Sequence, residues 1–93
     1  MSKLVTINNQ LFIEHGDNSI AVIKGWESYS GWYWFATELE DKDYGGAPLW
    51  FGYVQGFHDE WGTFWQGELD PLIEQGKIWE IKPQDLPLAG RRN

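Results

Sequence analysis

Two glutamates are the residues in this sequence whose type and spacing could support acid–base chemistry. Glu38 ends a run of aromatic residues that predicts a strand, and Glu60 begins the second strand after it. If those strands lie in one antiparallel sheet, the two carboxylates could approach each other as a general acid and a general base. The alternative is a pair of solvated glutamates at strand ends.

A polar turn next to Glu60 could support metal binding. The segment His58-Asp59-Glu60 offers mixed nitrogen and oxygen ligands, with Glu38 or His15 as a further ligand. The chain has 2 histidines and no cysteine, which leaves little for a closed zinc site, and the same composition is ordinary for a solvated turn. We therefore predict no metal and no cofactor. The glycines also lack the spacing of a phosphate-binding loop or a dinucleotide fingerprint, and no catalytic residue is assigned.

The tryptophans suggest a different chemistry, which is stacking. The chain has 7 of them, and an exposed indole offers a large rigid face for a sugar, a base or a peptide. The alternative is plain core packing, because a short chain needs bulky core residues. Three tryptophans lie beside a turn, a glycine or a helix start, and we expect these to be exposed. The predicted binding residues are Trp26, Glu38, Glu60, Trp61 and Trp65.

Length and composition allow one domain with one core. A chain of 93 residues is too short to support two cores, so aromatic side chains substitute for length. The absence of cysteine excludes disulfides. No apolar run approaches the roughly 18 residues of a membrane helix, and the first residues do not resemble a signal peptide. We expect a cytoplasmic protein that does not contact membranes.

The net charge of −7 is unevenly distributed along the chain. Residues 27–74 hold ten acidic residues and one basic residue, Lys42. This field disfavours direct binding to nucleic acid. It leaves open an acidic protein that imitates a duplex and occupies the basic groove of a nucleic-acid-binding protein. The other alternative is that the charge serves solubility alone.

The elements that must position these residues indicate an α+β fold. Strands are predicted at residues 3–7, 11–15, 19–24, 32–39, 49–55, 60–65 and 77–82, and a short amphipathic helix at 66–76. We therefore predict a single twisted antiparallel sheet of about five to seven strands with one helix packed on it. Residues 1–83 form the domain and residues 84–93 a loosely ordered tail.

The strand at 32–39 has two apolar faces, so both of them need a cover. Alternation places Trp32, Trp34, Ala36 and Glu38 on one face and Tyr33, Phe35, Thr37 and Leu39 on the other. We expect the helix to cover one face and the N-terminal meander or a partner to cover the other. Residues 40–48, with charges, two glycines and a proline, predict an exposed hairpin loop. In the next strand, Gly52 and Gly56 predict places where aromatic rings lie against the backbone.

Two aromatic strings and the glutamates near them carry a family resemblance. The strings are Gly31-Trp32-Tyr33-Trp34-Phe35-Ala36-Thr37-Glu38 and Trp50-Phe51-Gly52-Tyr53-Val54-Gln55-Gly56-Phe57, followed by Glu60-Trp61-Gly62-Thr63-Phe64 and Glu68-Leu69. The pattern resembles a domain of unknown function found in small proteins of bacterial plasmids, phages and some archaea. Trp61, Thr63 and Trp65 depart from the leucine, tyrosine and serine of that family. The resemblance implies a prokaryotic, mobile-element origin and supports the strand order, and it implies no activity.

These observations favour binding over catalysis, although they identify no ligand. We expect a non-enzymatic interaction module that uses a sheet face or edge and exposed aromatics to bind a protein partner, or a second copy of itself. The second hypothesis is an acidic inhibitor of a nucleic-acid enzyme. The third is a small enzyme that uses Glu38 and Glu60.

Overall fold

Eight strands and one α-helix form the protein, as described for residues 2–90 by a computed structural model. The strands are β1 (Ser2–Ile7), β2 (Gln10–His15), β3 (Asn18–Ala21), β4 (Lys24–Ser28), β5 (Tyr33–Tyr44), β6 (Ala47–Gln55), β7 (Asp59–Trp65) and β8 (Ile78–Glu80). The helix α1 spans Gln66–Glu74, and a 3₁₀ helix spans Leu86–Leu88. Within residues 2–90, no helix has the length and apolar character needed to cross a membrane.

The strands form two antiparallel sheets. The small sheet is the N-terminal meander β1-β2-β3, and the large sheet has the order β7-β6-β5-β4-β8. The predicted antiparallel α+β fold with one packed helix is confirmed, and the central pairing of β5, β6 and β7 is as expected. The meander is a separate sheet, and it packs against one face of the large sheet.

Turn residues set the register of the meander. Asn8 and Asn9 both have positive φ, of 51° and 62°, which is the backbone that a two-residue hairpin turn requires. Asparagine tolerates this conformation better than most residues. The turn therefore pairs β1 with β2 from Ser2↔His15 to Ile7↔Gln10.

Two apolar layers hold the fold together, one on each face of the large sheet. Between the sheets lie seven buried residues: Leu4, Leu11, Ile13, Val22, Phe35, Tyr53 and Ile81. Between the large sheet and α1 lie five: Trp26, Ala36, Trp50, Leu69 and Ile78. The two apolar faces predicted for β5 are thus covered by the meander and by the helix. Aromatic rings supply much of both layers, as expected for a short chain.

Three predictions about local structure need correction. No strand is predicted between residues 24 and 32, but Lys24–Ser28 form β4 between β5 and β8. The predicted strand at 19–24 is therefore split, and β3 ends at Ala21. Residues 40–48 are not a loop, because β5 runs to Tyr44 and β6 starts at Ala47. The turn is only Gly45-Gly46, with φ of 61° and 98°.

The C-terminal segment expected to be loosely ordered packs against the core as far as it is described. Pro87 is buried, and the Thr6 hydroxyl donates a hydrogen bond to the Pro87 carbonyl. Gly90, at φ 70°, lies where an added side chain would collide with Leu4 and Phe35. Residues 84–90 thus continue the first apolar layer, whereas residues 91–93 lie outside the described part of the chain.

Candidate functional site

An open groove of about 580 Å³ lies where the edge of the small sheet meets the large sheet. His15 and Ile20 line it from the meander. The large sheet contributes Thr37, Glu38, Phe51 and Trp61. The groove therefore joins a carboxylate, an imidazole and a hydroxyl to two aromatic rings. Two of the five predicted binding residues, Glu38 and Trp61, lie in it.

A β-bulge at Thr37 brings the carboxylate into this groove. On β5 and β6, Ala36 pairs with Gly52 and Glu38 pairs with Phe51, so Thr37 and Glu38 together oppose one residue. The Thr37 hydroxyl donates a hydrogen bond to the Phe51 carbonyl oxygen at 3.2 Å. Both neighbours consequently line the groove, although consecutive strand residues normally face opposite sides. The prediction that Glu38 shares a face with Trp34 and Ala36 is wrong for this reason.

Two rings on neighbouring strands give the groove an aromatic wall. The Phe51 and Trp61 rings are within 20° of parallel, with centroids 6.0 Å apart. Rings at this separation are offset and do not cover one another fully. Both residues are partly exposed. The wall therefore leaves ring surface open to a ligand.

The indole of Trp61 is fixed by polar contacts from the meander. Its Nε1 donates a hydrogen bond to the Ser2 hydroxyl at 2.8 Å. The same hydroxyl lies 2.8 Å from Nδ1 of His15, whose ring meets the Trp61 ring edge to face at 5.7 Å. The Tyr53 ring also packs on the indole, at a centroid distance of 5.1 Å, so the part of Trp61 that stays exposed is apolar ring and not its N–H.

An acidic arm extends from the groove. We use this name for residues 39–47, the distal ends of β5 and β6 with their turn, in which Glu40, Asp41 and Asp43 are exposed. Asp41 accepts a hydrogen bond from the Asp43 amide, and Asp43 accepts one from the Gly46 amide, both at 3.0 Å. These bonds hold the carboxylates of Asp41 and Asp43 at the turn end of the hairpin.

Trp65 holds the arm and does not line the groove. Its indole Nε1 donates a hydrogen bond to the Ala47 carbonyl at 3.3 Å, and its ring meets Tyr44 edge to face at 6.2 Å. The side chain is partly buried. Trp65 therefore fixes the direction of the arm, which is a structural role.

Trp26 is buried, with an exposed fraction of 1%, so the prediction that it is exposed is wrong. It packs against Trp50 and Phe64 at ring-centroid distances of 5.9 and 5.7 Å. The cause is β4, which the sequence pattern did not indicate. This strand carries Trp26 into the layer under α1.

Glu60 lies on the opposite face of the large sheet from Glu38. Glu60 pairs with Val54 of β6, whereas Glu38 pairs with Phe51, three residues away along the same strand. Residues an odd number apart on a strand point to opposite faces. The expected approach of the two carboxylates is therefore wrong, and no acid–base pair forms between them.

A second, smaller cavity of about 230 Å³ surrounds Glu60. It is lined by Trp32, Val54, Phe57, His58 and Glu60. Trp32 meets Phe57 edge to face at 5.2 Å, and Phe57 is 89% exposed. The exposed Phe57 ring is therefore a second aromatic surface, on the face of the large sheet that carries Glu60.

The metal hypothesis brought together residues that the structure separates. His15 and Glu38 share the groove, but His58 and Glu60 line the second cavity. In the part of the chain that is described, residues 2–90, no group of three or more histidines and acidic residues is placed to hold an ion.

Sequence reasoning did not identify Phe51 as a site residue. Phe51 lies between Trp50 and Gly52 in an apolar strand, and this pattern indicates core packing. The groove beside Phe51 depends on where the meander ends, which the sequence pattern does not show. The one available signal was Glu38 itself, a carboxylate at the end of an aromatic strand.

Comparisons with known proteins identify no relative: no family model, no curated protein and no solved structure matches this chain. The family resemblance of residues 31–73 therefore stays a prediction.

Proposed function

We propose that this chain is a non-enzymatic, cytoplasmic module that binds a protein partner through the groove and the acidic arm. The observation that carries the proposal is the bulge at Thr37, which brings Glu38 into the same groove as the partly exposed rings of Phe51 and Trp61. Bulges that redirect a side chain are frequent next to functional sites. The cytoplasmic location rests on the sequence alone.

The charge of the surface favours a basic partner. Glu80 is neutralised by Lys24, whose Nζ lies 3.6 Å from its carboxylate. Glu38 and the acids of the arm are exposed and have no such pair within residues 2–90. An unneutralised acidic surface attracts a cationic partner from a distance and raises its association rate.

Aromatic surface supplies the apolar part of such an interface. Interfaces combine a desolvated aromatic centre with a polar rim, and tryptophan is enriched among the residues that dominate binding energy. In the groove, Phe51 and Trp61 take the central position and the arm takes the rim. The geometry therefore supports binding better than it supports carboxylate catalysis, for which Glu38 lacks its expected partner Glu60.

A comparative pull-down tests this proposal with a matched pair of charge reversals. The bait proteins are the wild type, Glu38→Lys and Glu60→Lys, each shown by circular dichroism to be folded. We expect a host protein that is captured by the wild type and by Glu60→Lys but not by Glu38→Lys, with capture that weakens as salt increases. If Glu60→Lys loses the captured protein and Glu38→Lys keeps it, the binding surface is on the face of Glu60. Capture that neither variant changes would reject the groove.

The acidic arm also favours a second candidate, an inhibitor that imitates nucleic acid. Its exposed carboxylates at residues 40, 41 and 43, with Lys42 among them, give the end of the hairpin a net negative charge. In that case the captured protein binds nucleic acid, and duplex DNA competes with this chain for it. A captured protein that DNA does not displace would exclude the imitation. Self-association is a separate question. Sedimentation of the purified chain at increasing concentration tests it, because a dimer would raise the apparent mass.

A further inference from the structure

The chemistry of the groove points to one kind of side chain in the partner, and this inference rests on the proposed function. A ligand in the groove contacts three groups at once: a carboxylate, a pair of near-parallel rings and a hydroxyl oxygen that can accept a hydrogen bond. Each of them is provided by a residue whose position has been described, namely Glu38, the Phe51–Trp61 wall and Thr37.

The carboxylate selects for a cation. Within residues 2–90, Glu38 has neither an ion pair nor a hydrogen bond from another side chain, and it is exposed at the groove. The ammonium group of Lys24 lies elsewhere, 5.9 Å from the ring centroids of Trp26 and Trp50 and paired with Glu80. The adjacent arm adds further negative charge. An anionic ligand such as a phosphate is consequently repelled.

The rings select for a planar cation. Aromatic faces attract cations through the ring quadrupole, and a guanidinium group adds stacking that an ammonium group cannot provide. The Nε1 of Trp61 is bonded to Ser2, so a ligand meets the carbon atoms of the ring and not its N–H. An arginine stacked on this wall can direct its N–H groups to the carboxylate as a bidentate pair.

Thr37 supplies a further acceptor at the same end of the groove. Its hydroxyl hydrogen is directed at the Phe51 carbonyl, which leaves the oxygen lone pairs able to accept a hydrogen bond. A guanidinium group has five N–H donors and no acceptor. It can therefore bond to Glu38 and Thr37 at once, whereas a lysine ammonium is a compact charge without the matching planar fork.

We propose that the groove binds an arginine side chain of a basic, extended peptide segment. The guanidinium stacks on Phe51 and Trp61 and pairs with the carboxylate of Glu38. The acidic arm continues β5 beyond Glu38 with the exposed acids Glu40, Asp41 and Asp43, so basic residues that flank the arginine have acidic neighbours.

Titration with short peptides tests this proposal directly. The probes are three capped pentapeptides of glycine with arginine, lysine or citrulline at the centre, of which citrulline keeps the shape of arginine without its charge. Binding is followed by nuclear magnetic resonance through the backbone amides and the tryptophan indole N–H signals. We expect the arginine peptide to shift the signals of Thr37, Glu38, Phe51 and the Trp61 indole at millimolar concentration. The lysine peptide should bind several-fold more weakly, and citrulline should cause no shift.

Two variants separate the carboxylate from the rings. Glu38→Gln should weaken arginine binding by about fivefold, which is the upper range for an exposed ion pair, whereas Glu60→Gln on the other face should leave it unchanged. Phe51→Leu keeps an apolar side chain and removes one ring, and it should reduce the preference for arginine over lysine. Since Glu38 and Glu60 are both exposed, neither variant should alter the fold.

The outcomes distinguish this inference from the proposed function. Equal binding of arginine and citrulline, or equal effects of the two glutamine variants, would overturn the arginine site. The absence of any shift at millimolar peptide would overturn it too. If the arginine peptide fails while Glu38→Lys still abolishes capture of a host protein, the groove binds a partner through other chemistry. If both experiments fail, the proposed function fails with the inference.

Discussion

Two glycines that are paired on neighbouring strands of the large sheet should respond in opposite ways to substitution by alanine. Gly52 on β6 and Gly62 on β7 are directly paired. A Cβ atom built on Gly52 would lie 1.8 Å from the backbone carbonyl oxygen of Phe35, whereas one built on Gly62 would have no atom within 4 Å. We expect Gly52→Ala to destabilise the fold strongly and Gly62→Ala to be neutral or stabilising.

The size of each effect depends on which atoms the added methyl group would displace. The obstacle at Gly52 is the backbone of β5, which cannot rotate away as a side chain can, so the cost reaches the upper range for overpacking, about 3 kcal/mol. For a domain of this size that corresponds to a fall in melting temperature of roughly 12 to 24 °C. At Gly62 the gain is about 0.5 to 1 kcal/mol, because alanine loses less conformational entropy than glycine on folding.

Thermal unfolding followed by circular dichroism measures both variants against the wild type. Because the residues are partners in one ladder, they share strand context, and the comparison isolates the contact made by the added methyl group. The reasoning about the close approach of β5 would be refuted if Gly52→Ala melted within a few degrees of Gly62→Ala.

Three further substitutions test the core. In Gly56→Ala the new Cβ would lie 2.5 Å from the Trp32 ring, so we expect a loss of about 1 kcal/mol and a change in tryptophan emission. Gln55→Met should raise the melting temperature by about 4 to 8 °C, because the Gln55 side-chain oxygen is buried without a hydrogen-bond partner among residues 2–90; a lower melting temperature would contradict this. Trp26→Phe leaves a cavity between Trp50 and Phe64 and should lower the free energy of unfolding by about 2 kcal/mol, measured by urea titration.

The sequence predicted the parts of the fold that local chemistry determines. The aromatic run at β5 and the returns at β6 and β7 pair as expected, since rings and β-branched residues favour a pleated surface covered on both sides. Gly56 also lies under an aromatic ring, as predicted. The same prediction for Gly52 is wrong, because the neighbour there is the backbone of Phe35 and not a ring.

The sequence missed β4 because tertiary contacts determine that strand. Lys24-Gly25-Trp26-Glu27-Ser28 has the composition of a turn, and its pairing with β5 and β8 depends on a partner strand about 50 residues further along the chain. Once β4 is missed, Trp26 looks exposed. The error in the site prediction therefore follows directly from the error in the fold.

The bulge explains both why Glu38 lies in the groove and why sequence alternation could not place it there. Had β5 continued without an extra residue, Glu38 would be paired with Trp50, on the face of the large sheet that packs against the helix. With the extra residue, Leu39 takes the place opposite Trp50 and Glu38 moves to Phe51. One inserted residue thus moves the carboxylate to the face that bears the groove, and Leu39, which is 45% exposed, takes its place on the face of Trp50. The contacts of the two apolar layers do not account for a carboxylate beside the rings, and the binding role proposed for Glu38 rests on this.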